Sequence, residues 1–143
     1  AKERIYLEGS SPRSEYLAAY NRIDIALSPF PYGGGTTSAE GLWMGVPVIT
    51  KKGNSFISHL GESIAHNTGL SDWIAADEDD YVAKAISFAS DFKSLAELRS
   101  SLRAQVLSSP LFDAKRFSNN FETALREMWD EKSNDIDIER GGK

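Results

Sequence analysis

The chain contains no cysteine in 143 residues, which excludes disulfides, a thiol nucleophile and any thiolate-bound metal. Histidine is nearly as scarce, with two in all, His59 and His66. A basic excess is missing as well. The 16 Lys and Arg face 21 Asp and Glu for a net charge of −5, the wrong balance for a general nucleic-acid binder. No apolar run approaches the roughly 18–20 residues that a membrane span needs. The charged opening AKERIYLEGSS does not read as a signal peptide. These absences predict a globular chain without nucleic acid or membrane among its partners, with the cytoplasm as the expected compartment.

What is present is a regular alternation in the first half. Residues 4–9, RIYLEG, read as a strand closed by Ser10-Ser11-Pro12. Ser11 followed by Pro12 marks a helix start with Pro at its first position, and Tyr16, Leu17 and Tyr20 supply an apolar stripe that ends near Arg22. Residues 23–28, IDIALS, form a second strand. A turn through Pro29-Phe30-Pro31-Tyr32 and three glycines leads to a helix over 36–44. Gly45 stops it, and residues 46–50, VPVIT, give a third strand, with Pro47 held to its end or edge. Strand, helix, strand, helix, strand at this spacing predicts a parallel, Rossmann-like sheet. The second half is helical over about 55–65, 79–90, 95–107 and 113–132. Residues 1–132 thus form the folded unit, and 133–143 read as a frayed or disordered tail.

Residues 29–40, PFPYGGGTTSAE, carry the chemistry. They join a strand end to a helix start, where parallel α/β sheets bind ligands. Gly33, Gly34 and Gly35 let the backbone approach a ligand closely. Thr36 and Thr37 add hydroxyls beside the unpaired amides of the first helical turn, an anion site whose commonest occupant is phosphate. Glu40 lies one turn on, placed to accept hydrogen bonds from ribose hydroxyls. A nucleotide diphosphate suits that arrangement. A glycine-rich turn whose threonines cap a core helix accounts for the same spacing, and neither G-x-G-x-x-G nor a P-loop is present.

Residues 24–50, DIALSPFPYGGGTTSAEGLWMGVPVIT, together with Leu107-Ser108-Ser109-Pro110-Leu111-Phe112 and Met128-Trp129, resemble the sugar-nucleotide-binding lobe of O-linked N-acetylglucosamine transferases and their SPINDLY-type relatives. Those are inverting GT-B glycosyltransferases that move a sugar from a nucleotide diphosphate to protein Ser or Thr. The resemblance implies a UDP-sugar donor, UDP-N-acetylglucosamine or alternatively a GDP-sugar, and no cofactor. It implies Thr36 and Thr37 on the donor phosphates beside Gly34 and Gly35. Glu40 and Arg13 fall at the ribose, the Ser11 backbone at the base edge and Tyr16 against the base. Two positions depart from the pattern: Gly35 stands where the family has His, and Ala19 where it often has Arg. The family's donor-activating Lys and acceptor-side His residues have no counterpart, so no catalytic residue is expected within this chain. A partial C-terminal lobe, inactive alone, is the expectation. The missing N-terminal lobe, helical repeats and protein acceptor would belong to a longer parent, and removal of upstream strands would leave a sheet edge open to self-association. A non-catalytic nucleotide- or protein-binding module is the alternative.

Other signals carry less. Asp77-Glu78-Asp79-Asp80 and Asp135-Ile136-Asp137 each contain D-x-D, but the first reads as a helix cap and the second falls in the tail, so no metal site is expected. His59 and His66, seven apart on a continuous helix, would stand roughly 10 Å apart along its axis. They read as solvent-facing. Trp43, Trp73 and Trp129 read as core or lobe-packing residues. Arg99, Arg103, Lys115 and Arg116 read as solvated helical faces.

Overall fold

Apolar residues that alternate with helical stripes fold here into a small parallel sheet covered by helices. The computed structural model describes the backbone of residues 2–141 and the side chains of residues 3–133. Strand β1 (Ala26–Leu27) pairs in parallel with β2 (Val48–Lys51), Ala26 opposite Val48 and Leu27 opposite Ile49. Strand β3 (Ile74–Ala75) joins the other side of β2, with Thr50 opposite Ile74 and Lys51 opposite Ala75. The order is β1-β2-β3, the parallel arrangement that the sequence predicts. Pro47 lies just before β2 and its carbonyl accepts the Ala26 amide at 2.9 Å. A residue without an N–H is tolerated there because only its acceptor is used.

Helices α1 (Arg13–Ala19), α2 (Thr36–Trp43) and α3 (Leu60–Asn67) alternate with the strands. They are followed by α4 (Glu78–Ser90), α5 (Phe92–Leu107) and α6 (Ala114–Gly141). The core gathers Leu42 of α2, Val48 and Ile49 of β2, Ile64 of α3, Trp73, Ala75 of β3, and Leu95, Leu102 and Val106 of α5. Trp73 stacks on Phe88 at 4.3 Å. Gly61 permits the close seating of α3 on the sheet, since a Cβ there would fall 2.1 Å from the Thr50 Oγ1.

Several expectations change. Residues 4–9 are not a strand: a 3-10 turn at Lys2–Arg4 gives way to irregular chain, and Ile5, Tyr6 and Leu7 are exposed. Alternation creates a strand only beside a partner, and no described strand lies next to this segment. Pro12 is the N-cap of α1, outside the helix instead of at its first position. Strand β3 occupies residues read as loop. Its two residues are too few to show a period. The backbone of α6 continues from the predicted stop at Lys132 to Gly141, through the segment read as a tail. The side chains of Asp135 and Asp137 lie outside the described residues. Among the described residues, no helix is long and apolar enough to cross a membrane.

Leu102 is fully buried at the centre of α5. Leu102→Ala is expected to lower unfolding free energy by about 2–5 kcal/mol, read in urea melts as a lower midpoint with an unchanged slope.

Candidate functional site

Ser28 follows β1, is almost completely buried, and ties the sheet to the turn beyond it and to α4. Its amide donates to the Ile49 carbonyl at 2.9 Å, extending the β1–β2 ladder. Its Oγ accepts the Gly34 amide at 3.0 Å. Its carbonyl accepts the Tyr81 hydroxyl of α4 at 2.9 Å. Burial keeps the Tyr81 phenol protonated above its usual range, so that donor is retained. Phe30 closes the outer side of the turn, edge-on to Tyr81 at 5.3 Å, with Lys51 Nζ 4.4 Å from its ring centre.

Gly35 is the N-cap of α2, and no side chain caps this end. The threonines therefore do not serve as caps. Thr36 and Thr37 are exposed at the first turn, where unpaired amides and the positive end of the helix dipole favour an anion. A side chain at Gly34 would displace two hydroxyls: a Cβ would lie 2.5 Å from Thr37 Oγ1 and 2.7 Å from Ser38 Oγ. At Gly35 a Cβ would meet Leu60 Cδ2 at 2.9 Å. Leu60, at the start of α3, fills the volume that a side chain at position 35 would take.

Glu40 is buried on α2, and its carboxylate meets the Arg13 guanidinium of α1 at 2.8 Å. Arg13 keeps most of its side chain exposed, so this is a tether across the surface and not a dry ion pair. Beside it, Tyr16 and Tyr20 approach edge-on with hydroxyls 2.8 Å apart. Tyr20 donates in turn to the Thr37 carbonyl at 3.2 Å, so the shared proton between the phenols comes from Tyr16. That hydrogen bond to Tyr20, then burial, then the Glu40 carboxylate push the Tyr16 pKa well above its usual value. The Tyr20 ring passes within 3.3 Å of where a Cβ on Gly41 would stand, so glycine at 41 admits it against α2.

The structure thus brings Arg13, Tyr16, Thr37 and Glu40 into one connected cluster and sets Gly34, Gly35 and Thr36 at its edge. Ser11 stands exposed just before Pro12, apart from this chain of contacts. A cavity of about 330 Å³ opens among Tyr20, Ser28, Gly34 and Thr37. Another of about 550 Å³ lies on the far side of Tyr20, against Tyr6, Tyr16 and Arg22. A larger one, about 710 Å³, sits before β1 around Asp24 and Arg99. It touches none of the predicted site residues. Sequence reasoning missed Ser28 and Tyr20. Tyr20 follows Tyr16 by four residues on one helical face, a spacing that counts equally for apolar packing and for paired hydroxyls.

The two histidines share a carboxylate. His59 precedes α3 and its Nδ1 lies 2.7 Å from Glu62, while His66 Nε2 lies 3.8 Å and Lys52 Nζ 4.0 Å from the same group. The hydrogen bond with His59, helped by the nearby Lys52 charge, holds the Glu62 carboxyl below its ordinary range. Asp77 caps α4 by accepting the Asp80 amide at 2.8 Å, and Asp80 accepts the Ala76 amide at 2.8 Å. Those carboxylates are engaged as a cap. Among the described residues no group of three or more His, Asp or Glu is placed to hold a metal. Arg99 is no freely solvated cation, since it bridges to Asp24 and to the Gly45 carbonyl. Arg103 lies over the Trp43 ring.

Tyr20→Phe keeps the ring on Gly41 and removes only the hydroxyl. It is expected to cost about 1 kcal/mol in urea unfolding and to lower the Tyr16 titration toward its ordinary value in an ultraviolet pH titration. Glu62 has a depressed pKa in the folded chain, so its contribution to stability is present above the unfolded carboxylate pKa and fades as pH falls through the folded one. Glu62→Gln should therefore lower the unfolding free energy at neutral pH by under about 1 kcal/mol, read as a lower urea midpoint. The gap to the unmutated chain should close in acid.

The profile of Glycosyl transferase family 41 matches residues 1–121. A tomato (Solanum lycopersicum) protein named a probable UDP-N-acetylglucosamine--peptide N-acetylglucosaminyltransferase SPINDLY is 44% identical over 115 residues, covering 80% of this chain and 12% of that protein. The Caenorhabditis elegans UDP-N-acetylglucosamine--peptide N-acetylglucosaminyltransferase is 28% identical over 126 residues, 88% of this chain and 11% of its own length. A solved mutant of Thermobaculum terrenum O-GlcNAc transferase superposes with a TM-score of 0.84 at 39% identity, over 90% of this chain and 25% of that one. The chain therefore spans a small part of each relative, and the α/β fold is that of the corresponding part of the solved enzyme. On the match over residues 1–121, the chain belongs to Glycosyl transferase family 41.

Proposed function

We propose that this chain is the donor-binding lobe of a protein O-glycosyltransferase. The donor is a UDP-sugar, UDP-N-acetylglucosamine first and a GDP-sugar as the alternative. The observation that carries the reading is the open N-terminus of α2, where exposed threonines stand beside amides that no side chain caps. In this reading Thr36, Thr37 and the α2 amides take the diphosphate, with Gly34 and Gly35 allowing its close approach. Glu40 accepts from the ribose hydroxyls while Arg13 holds it in place, and Tyr16 lies against the base near Ser11. The relatives named as UDP-N-acetylglucosamine peptide transferases support the donor and the acceptor class.

The chemistry asked of this lobe is electrostatic. As a Ser or Thr hydroxyl of an acceptor protein attacks the anomeric carbon with inversion, the bond to the diphosphate breaks and its electron pair leaves on the phosphate oxygen. Fixed amides and hydroxyls aimed at that oxygen stabilise the developing charge without reorganising. The acceptor-side groups and the donor-activating Lys belong, in this reading, to parts of a longer cytoplasmic parent. The lobe alone binds and does not catalyse. Gly35, bearing no side chain where the family resemblance implies His, favours a second reading as a nucleotide-binding module without transfer.

Calorimetric titration of the 143-residue chain with UDP, UDP-N-acetylglucosamine and GDP tests this. Saturable binding of the UDP compounds is expected, weakened roughly tenfold or more by Thr36→Ala or Glu40→Ala, the loss of one charge-assisted contact. Sugar transfer by the chain alone would refute the division of labour. Unchanged affinity in both variants would refute the site.

A further inference from the structure

The first turn of α2 stands between two helices. On one face of α2, Glu40 meets Arg13 of α1 at 2.8 Å and the Thr37 carbonyl accepts the Tyr20 hydroxyl at 3.2 Å. The other face belongs to α3: Ser38 and Leu42 line a small cavity with Gly61 and Ile64. At 3.6 residues per turn, positions 37, 40 and 41 lie nearly opposite positions 35, 38 and 42. On the α3 side a Cβ at Gly35 would meet Leu60 Cδ2 at 2.9 Å, and one at Gly33 would stand 3.9 Å from the Gly61 amide nitrogen. The backbone of Leu60 is well seated. A 3-10 turn, Ile57–His59, runs directly into it, and Gly61 lies so close to β2 that a Cβ there would fall 2.1 Å from Thr50 Oγ1. Leu60 therefore presents an apolar side chain, 43% exposed, beside the exposed Thr36 and Thr37.

We propose that Leu60 is a specificity-determining residue for the donor, its side chain lying against the sugar end of a nucleotide sugar. The inference rests on the donor-site reading above, in which the diphosphate sits over the α2 N-terminus and the nucleoside lies on the α1 side. In a nucleotide sugar the diphosphate is the middle of the molecule. A nucleoside on one flank of α2 therefore leaves the sugar on the other, where Leu60 stands. A sugar ring presents C–H groups on its faces and an N-acetyl group adds a methyl, and both gain from apolar cover that excludes water. Gly35 belongs to the same arrangement, since without a Cβ it lets Leu60 lie over the start of α2. Amides and threonine hydroxyls hold a diphosphate whatever it carries. Leu60 adds the contact that distinguishes a nucleotide sugar from the bare nucleotide.

Calorimetric titration of the 143-residue chain with UDP and with UDP-N-acetylglucosamine reads the ratio of the two affinities. Leu60→Ala is expected to leave UDP binding unchanged and to weaken UDP-N-acetylglucosamine roughly fivefold, the loss of one or two buried methylenes. Leu60→Val removes a single carbon and should give a smaller loss in the same direction. It keeps the test open if Leu60→Ala perturbs α3, which circular dichroism checks. A ratio that neither variant alters, with UDP still bound, overturns the role of Leu60 and leaves the donor site standing. Equal losses for both ligands overturn it as well, because they would make Leu60 a support of the turn. Where the chain takes GDP and not UDP, GDP and GDP-mannose give the same ratio. Binding of neither nucleotide overturns the donor-site reading itself, and this inference with it.

Discussion

One buried serine decides whether the glycine turn has a shape at all. Three consecutive glycines have little conformational preference of their own, and a turn built from them needs an outside reference. Ser28 supplies it, because the groups that bind the turn and α4 belong to a residue already locked into the sheet through its amide. A buried serine with unmet acceptors would be costly. Here the Oγ and the carbonyl each accept a hydrogen bond, so the position of α2's first turn follows from the position of β1.

The second constraint comes from the opposite side. Helix α1 has no fully buried residue, so hydrophobic burial alone holds it weakly. Its hold on α2 is largely polar: the Arg13–Glu40 contact at one end, and the paired phenols reaching the Thr37 carbonyl at the other. Glycine at 41 matters because it lets an aromatic ring lie flat enough against α2 for its hydroxyl to reach the helix's first turn. The site is thus clamped between a rigid sheet and a lightly packed helix.

How much of this was legible in the sequence depended on whether the signal was local. The apolar runs that became β1 and β2 declare themselves by composition, although only β2 is buried here and Leu27 of β1 is exposed. The stretch that became α2 is bounded by glycines on both sides, and α4 and α5 show their stripes over many turns. RIYLEG misled because alternation records a demand for a partner and not the partner's presence. Strand β3 was invisible because two residues held by β2 have no pattern of their own. At the site, glycines, threonines and Glu40 were readable from spacing. Ser28, Tyr20 and the pairing of His59 with Glu62 were not, since a serine ending a strand and a tyrosine in a stripe have common, uneventful explanations. Trp129, read as a core or lobe-packing residue, is not part of this chain's core and is largely exposed. Its aromatic character says that it seeks cover, without saying from where.

The contact between Gly35 and Leu60 governs how far the turn opens. These positions lie 25 residues apart, yet a Cβ at the first would fall 2.9 Å from a methyl of the second. The near atom is the tip of a side chain that is itself 43% exposed, and the next atom stands 3.9 Å away. A rotamer change at Leu60 is therefore enough to admit a larger residue at 35. The mouth of the glycine turn is bounded by a movable wall, and its width is set by a residue of α3 and not by the turn itself.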